Sequence, residues 1–390
     1  MIDVDALRAD TPGVAEVIHF NNAGSALMPQ PVVDTIRDYL DLEVRCGGYE
    51  ARDDCADEID EVYTSIGRLI NALPSEIALA DNATRAWDMA FYGLELGAGD
   101  RILTTSTEYV SNWAAYLHLR DTRGVVVDVI DDSPTGEIDL EELDRAVDGT
   151  VKLVTLNHVP TNSGLVNPAH EVGVIARNHG VPFLLDACQS VGHLPVDVES
   201  IGCDMLSATS RKYLRGPRGQ GFLYVRDTML DRVRPPFVEL ESASVVSPDR
   251  YELRSSARRF ETWEKNFANV LGLGAAVDYA LAVGIDSIWD RIRHLAIALR
   301  SGLAGVDGVT LRDIGRLQCG IVTFEVDGHD PVSIKQALRG QSINVSTSTA
   351  SSSPIDMHRR GIDRLVRASI HAYNSEQEIE SFVRAIARLR

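Results

Sequence analysis

At 390 residues, with 44% hydrophobic and 24% charged positions, the chain is long enough for two packed domains and lacks the polar bias of a disordered protein. A formal net charge of −19 excludes most of the surface as a partner for nucleic acid or an anionic membrane.

The opening, MIDVDALRAD, is acidic and has no basic segment ahead of an apolar core, so no signal peptide is expected. The longest apolar runs, such as Val125 to Val127, are far shorter than the ~20 residues that span a bilayer, and a cytoplasmic location is the expectation. Residues 1–20 read as an N-terminal arm, 21–258 as a large domain and 259–390 as a smaller C-terminal one. From about residue 75, short β-branched runs alternate with helical stretches: IALADN and TRAWDMAFYGLEL, RILTTS and SNWAAYLHLRD, VVVDVID, VKLVTLN, HEVGVIARNHG, VPFLLDACQ, DMLSATS and GFLYV. That rhythm predicts an α/β domain whose mostly parallel sheet, about seven strands, is covered by helices. Ligands of such sheets gather at the carboxyl ends of the strands. Asn82, Thr84, Glu108, Tyr109, Asn157, Asp186, Gln189 and Thr209 to Lys212 all stand at those ends.

Beyond RRFETWEKNFANVLGLG the pattern changes to long helices near 266–283 and 285–303, then strands near 320–326 and 367–370, which predicts a smaller α+β domain. The Ser/Thr-rich SINVSTSTASSSPID has the composition of a flexible linker, but its place inside this domain predicts an ordered loop over a site.

Several chemistries can be set aside. GPRGQG (Gly216 to Gly221) precedes a strand instead of joining a strand to a helix, and neither GxGxxG nor GxxxxGK[ST] spacing occurs. No HExxH or paired histidines mark a metal site. The five cysteines, Cys46, Cys55, Cys188, Cys203 and Cys319, show no CxxC spacing, so reduced thiols are expected in place of disulfides or zinc ligands.

SATSRKYLRGPRGQG gathers Arg211, Lys212, Arg215 and Arg218 within eight positions of an acidic chain, which predicts a local anion site. A lysine among arginines suits Schiff-base chemistry, because neighbouring cations and burial lower the amine pKa. Alone, it reads more simply as a solvated Lys in a basic loop. Its context is Asp186, 26 residues earlier at the end of an apolar strand, with Gln189 one turn on. A carboxylate buried there needs a partner, and the ring nitrogen of pyridoxal phosphate is one. Capping of the next helix is the plainer reading of the same Asp.

Together DACQ (Asp186 to Gln189), SATSRKY (Ser207 to Tyr213), NHVPTNSGLVNP (Asn157 to Pro168), RLVRASIHAYN (Arg364 to Asn374) and NNAGSALMP (Asn21 to Pro29) resemble the class V aminotransferase-like family of fold-type I pyridoxal-phosphate enzymes. The likeness spans nearly the whole chain and implies a large domain with a mostly parallel sheet plus a small C-terminal domain. It implies pyridoxal 5′-phosphate as cofactor and Lys212 as its covalent anchor and the base that moves the Cα proton. Asp186 would face the ring nitrogen, and Asn157 and Gln189 the phenolic oxygen. Ala83, Thr84, Thr209 and Arg211 would hold the phosphate, with Tyr109 stacked on the ring. Arg367 would take the substrate carboxylate, with Ala23 and Gly24 beside the substrate. The resemblance further implies a small amino-acid substrate and a homodimer with the active site at the subunit interface, the RRFETWE segment with Arg259 and Glu264 reaching in from the neighbour. The sequence departs there from the desulfurase pattern, so Thr262 is not assigned to the phosphate.

Cysteine desulfurases of that family need a cysteine in the loop before the carboxylate arginine, and VSTSTASSSPIDM has none. GGYEA (Gly47 to Ala51) and EYVSNW (Glu108 to Trp113) look most like the C–S lyase branch, including hercynylcysteine sulfoxide lyases. The expectation is β-elimination on a cysteine S-conjugate or sulfoxide, giving pyruvate, ammonia and a thiol or sulfenate. A class V aminotransferase or an epimerase acting on a small amino acid is the alternative, and a non-catalytic protein that has kept the fold is a third.

Overall fold

The computed structural model describes residues 2–389. The N-terminal segment runs to Ile18–His19, which pairs in parallel with Ile343–Asn344. Helices α1 (Gln30–Cys46) and α2 (Ala56–Ile70) follow. The central sheet then begins, built from β1 (Ile77–Ala80), β2 (Arg101–Thr105), β3 (Val126–Ile130), β4 (Val151–Asn157), β5 (Phe183–Asp186), β6 (Met205–Thr209) and β7 (Gly221–Val225).

Its seven strands lie in the order β1-β7-β6-β5-β4-β2-β3, as the βα rhythm predicts. All pairings are parallel except those of β7, which runs antiparallel to β1 and β6. Every residue of β5, β6 and β7 is buried, the signature of strands covered on both faces. Two connecting helices matter for the site: α3 (Ala83–Phe91), capped by Asn82, and α4 (Val110–Arg123), which starts after Tyr109.

After β7 an exposed antiparallel hairpin pairs residues 243–247 with 250–253, an element the sequence reading did not separate from its surroundings. Helices α5 (Phe267–Val283) and α6 (Ile285–Ala304) come next, the first capped by Asn266. α5 lies past the boundary expected at residue 259, yet Val270, Leu273, Val277 and Ala280 share one core with Val62, Ile66 and Phe222 of the large layer. α6 joins two cores: Ile288 and Ile292 belong to the same one, whereas Leu295, Leu299 and Leu303 pack with Val322, Phe324 and Phe382. Phe20 joins that second core from the N-terminal segment.

The second core supports a four-stranded antiparallel sheet of β8 (Val309–Leu311), β9 (Ile321–Val326), β10 (Ser346–Thr349) and β11 (Arg364–Ser369), ordered β8-β9-β11-β10. The Ser/Thr-rich segment is therefore an edge strand, followed by a turn and the short helix Pro354–Arg359. This unit is docked on the large layer: Ser353 Oγ donates to Glu108 O at 3.2 Å, and Asp356 N to Ser106 O at 3.1 Å.

Candidate active site

The site forms where four strands end side by side. Asn157 and Asp186 are register partners at the carboxyl ends of β4 and β5, and Thr209 ends β6 three residues before Lys212. Asn82, Ala83, Thr84, Trp87, Tyr109, Asn112, Asn157, Thr161, Asp186, Cys188, Gln189, Thr209, Arg211 and Lys212 line one cavity of about 230 Å3. Residues separated by up to 130 positions in the chain, Asn82 to Lys212, thus meet around one space. A larger concavity of about 790 Å3, bordered by His158, Trp289 and Arg316, contains no lysine and none of the predicted residues.

One end of the cavity is built for an anion. Asn82 Oδ1 accepts from Arg85 N at 2.9 Å, which leaves the N–H groups of Ala83 and Thr84 free at the positive end of α3. Gly221 allows β7 to lie close: a Cβ there would stand 2.5 Å from Ala208 O and 3.0 Å from Ala83 N. Arg211 adds a cation, and its guanidinium also donates to Gly24 O. Burial, then the nearby Arg218 charge, lowers the pKa of Arg211. Donors, dipole and guanidinium are the set that phosphate requires.

Asp186 occupies another wall. Its Oδ1 accepts from Cys188 N at 3.0 Å and its Oδ2 from Asn112 Nδ2 at 2.9 Å, so the carboxylate is pinned at both oxygens with lone pairs to spare. Gln189 Nε2 donates to Ala23 O at 3.1 Å, while its Oε1 is buried without a partner. Tyr109 sits at the mouth, 36% exposed. Lys212 has its pKa lowered, by burial first, against a rise from Cys188 and with further lowering from Arg211 and Arg367. A tight turn holds it: Arg215 N donates to Lys212 O at 2.9 Å, and Arg215 adopts φ of 62°, the left-handed region.

Arg215 itself corrects an expectation. It does not face the cavity; it is buried with Nε on Leu27 O at 2.9 Å and its guanidinium 4.6 Å from the Tyr373 ring centroid. Those contacts anchor the strained turn that presents Lys212, while Arg218 is exposed outside the cavity. The arginines of the basic run thus divide between phosphate cradle, turn anchor and solvent.

Ala23, Gly24 and Arg367 do not line this cavity themselves; they adjoin it. Ala23 and Gly24 offer carbonyls to Gln189 and Arg211. Arg367, on β11, is 8% exposed, and its guanidinium donates to Thr161 Oγ1, to Thr161 O at 3.4 Å and to Asn21 Oδ1 at 3.4 Å. Its Nε has no partner, and among the described residues no carboxylate pairs with it. Burial pushes its pKa down to about 10.

Arg259, expected to reach toward a neighbour, is instead buried in its own subunit, donating to Leu230 O at 2.8 Å. Sequence reasoning passed over Trp87, Asn112, Thr161 and Cys188 as cavity residues. Asn112 was legible from its i,i+4 spacing to Glu108 at a helix start, whereas Thr161 and Cys188 lie inside quoted motifs with no chemical signal of their own.

A phosphate cradle, a pinned carboxylate with free lone pairs and a lysine of lowered pKa fit pyridoxal phosphate. With the sheet order and the smaller second domain, they define a fold-type I pyridoxal-phosphate-dependent enzyme. The chain belongs to the aminotransferase class-V family, whose model matches residues 18–382. A probable cysteine desulfurase of Pyrococcus abyssi is 30% identical over 390 residues, covering 98% of this chain and 96% of that protein. The apo cysteine desulfurase from Thermococcus onnurineus NA1 superposes with a TM-score of 0.93 at 30% identity, covering 100% of this chain and 98% of that one. The cystine C–S lyase C-DES, solved with its product cysteine persulfide, gives a TM-score of 0.88 at 25% identity, covering 97% and 99%.

Proposed function

We propose that the protein is a pyridoxal-phosphate-dependent C–S lyase that removes sulfur from a cysteine S-conjugate or cysteine sulfoxide by β-elimination. The observation that carries an amino-acid substrate is Arg367: a buried guanidinium without a carboxylate partner beside Lys212 is a standing demand for an anion. A substrate carboxylate meets it in the bidentate geometry that guanidinium favours.

Ala83, Thr84, Thr209 and Arg211 would hold the cofactor phosphate, Asp186 the ring nitrogen, Asn157 and Gln189 the phenolic oxygen, and Tyr109 a ring face. Bound pyridoxal phosphate supplies the electron sink that makes the substrate Cα proton acidic. Lys212 would anchor the cofactor and, as a free amine, take the substrate Cα proton on Nζ; its lowered pKa favours the free amine needed for that transfer. The Cβ–S bond breaks with its electron pair leaving on sulfur. Hydrolysis of the remaining three-carbon fragment gives pyruvate and ammonia.

The lyase reading is supported by the segment beside Arg367. Residues 346–353 form an edge strand and a turn that contain no thiol. The thiol in the cavity, Cys188, has its pKa pushed up to about 12, chiefly by burial and then by Asp186, and so stays a protonated, poor nucleophile. A cysteine desulfurase is the second reading, favoured by the names of the relatives. Incubating the holoenzyme with a panel of cysteine S-conjugates, cystine and cysteine sulfoxides tests the choice. Pyruvate from at least one member, absent with Lys212→Ala, is expected; keto-acid exchange without pyruvate would mean an aminotransferase.

A further inference from the structure

Two buried carboxylates stand on one wall of the site with no ion-pair partner among the described residues: Glu108, 1% exposed, and Asp186, 6% exposed. A single amide joins them. Asn112 Nδ2 donates to Glu108 Oε1 at 3.0 Å and to Asp186 Oδ2 at 2.9 Å, so both of its protons are spent on different carboxylates. Turning that amide over would point its oxygen at two anions, which fixes its orientation.

Glu108 is held by an array of donors. Oε1 also accepts from Tyr109 N at 2.8 Å, and Oε2 accepts from the hydroxyls of Tyr116 at 2.8 Å, Thr104 at 3.0 Å and Thr155 at 3.3 Å. No obligate acceptor faces it, so the array favours the ionised form against the cost of burial. Burial, then the charge of Asp186, raises the pKa of Glu108, while Tyr109, Asn112 and Tyr116 lower it through hydrogen bonds. Asp186 at the end of β5 and Glu108 just before α4 thus face one amide of α4, and neither has a salt-bridge partner among the described residues.

We propose that Asn112 and Glu108 are positioning residues that orient Asp186 and set the negative charge facing the ring nitrogen of bound pyridoxal phosphate. This rests on the cofactor reading above. Asn112 fixes the plane of Asp186, and Glu108, one amide further back, raises the proton affinity of the cationic groups in front of it. The other charged or titratable groups in this neighbourhood are Lys212, Arg211, Arg367, Cys188, Tyr109 and Tyr116. All of them are retained in the variants that test the bridge.

The test uses the full chain stripped of cofactor and titrated with pyridoxal phosphate. Three quantities are read for wild type, Glu108→Gln and Asn112→Ala: the dissociation constant from the visible absorbance band, the pH midpoint of that band, and Tm. Glu108→Gln preserves volume, so the measurement survives if Asn112→Ala does not fold. The expected result is about tenfold weaker cofactor binding for Asn112→Ala, the scale of one lost hydrogen bond to a charged group. For Glu108→Gln the band midpoint moves to lower pH, since a negative charge is lost. A purely structural bridge would lower Tm and leave dissociation constant and midpoint at wild-type values, which would overturn the inference. A wild-type protein that forms no band overturns the cofactor reading and this inference with it; a wild-type band with unchanged variants overturns this one alone.

Discussion

Replacing Arg367 by Met separates binding from structure at the residue on which the substrate assignment rests. Met keeps much of the side-chain volume and removes the charge. Arg367 is 8% exposed, its Nε has no partner, and its pKa is depressed from the ordinary guanidinium range to about 10, mainly by burial. That depression corresponds to roughly 3 kcal/mol of unfavourable burial of the cation near neutral pH. Because the folded value lies below the ordinary one, the cost is present in full below about 10 and falls away only as pH rises above it. Against it stand the bonds to Thr161 and Asn21. Arg367→Met should therefore leave Tm, followed by circular dichroism, unchanged or higher. Losing one partner of a buried, hydrogen-bonded charge pair costs about 2–5 kcal/mol. At 1.4 kcal/mol per tenfold, kcat/KM for an amino-acid substrate should fall by roughly 30-fold to several thousand-fold, largely through KM. A variant that loses several degrees of Tm and retains its KM would refute the reasoning and make Arg367 a structural residue.

Lys212→Ala should abolish both the visible band formed with pyridoxal phosphate and turnover; a band that survives would move the anchor elsewhere. In the cofactor-free protein, the rate of band formation against pH should rise through a value below the ordinary lysine 10.5, in keeping with the lowered Lys212 pKa; a midpoint at 10.5 would contradict the buried geometry. Gly221→Ala places a Cβ 2.5 Å from Ala208 O and 3.0 Å from Ala83 N. Displacing the start of α3 should weaken pyridoxal-phosphate binding by about tenfold, within the range of a helix-terminus interaction; equal affinity by equilibrium titration would remove α3 from the phosphate site. Cys188→Ser should keep most of the pyruvate-forming activity, whereas its loss with normal cofactor binding would point to chemistry at the thiol.

The parts of the site that were legible in the sequence are those whose signal is local. An apolar strand ending in Asp186, a strand ending before Lys212 and the turn after Asn82 each announce a strand end, and the α/β rhythm brings strand ends together. What pairs across elements left no such trace. Thr161 meets Arg367 because β11 of the smaller sheet is docked beside the end of β4, a matter of tertiary packing. Arg215 looked like part of an anion site by composition, yet its guanidinium lies against Tyr373 and Leu27, residues of the first core and the N-terminal segment. The Ser/Thr-rich run has the composition of a linker but becomes an edge strand, because pairing with β11 supplies the hydrogen bonds its own residues do not favour.

The most direct measurement for the central claim is the fate of the three-carbon skeleton. With the holoenzyme and an L-cysteine S-conjugate, a lyase releases pyruvate and ammonia in equal amounts to the sulfur product, and chromatography with mass detection should find no alanine. Alanine formed from L-cysteine in place of pyruvate, with activity lost on replacing Cys188, would contradict the account and assign the protein to desulfuration.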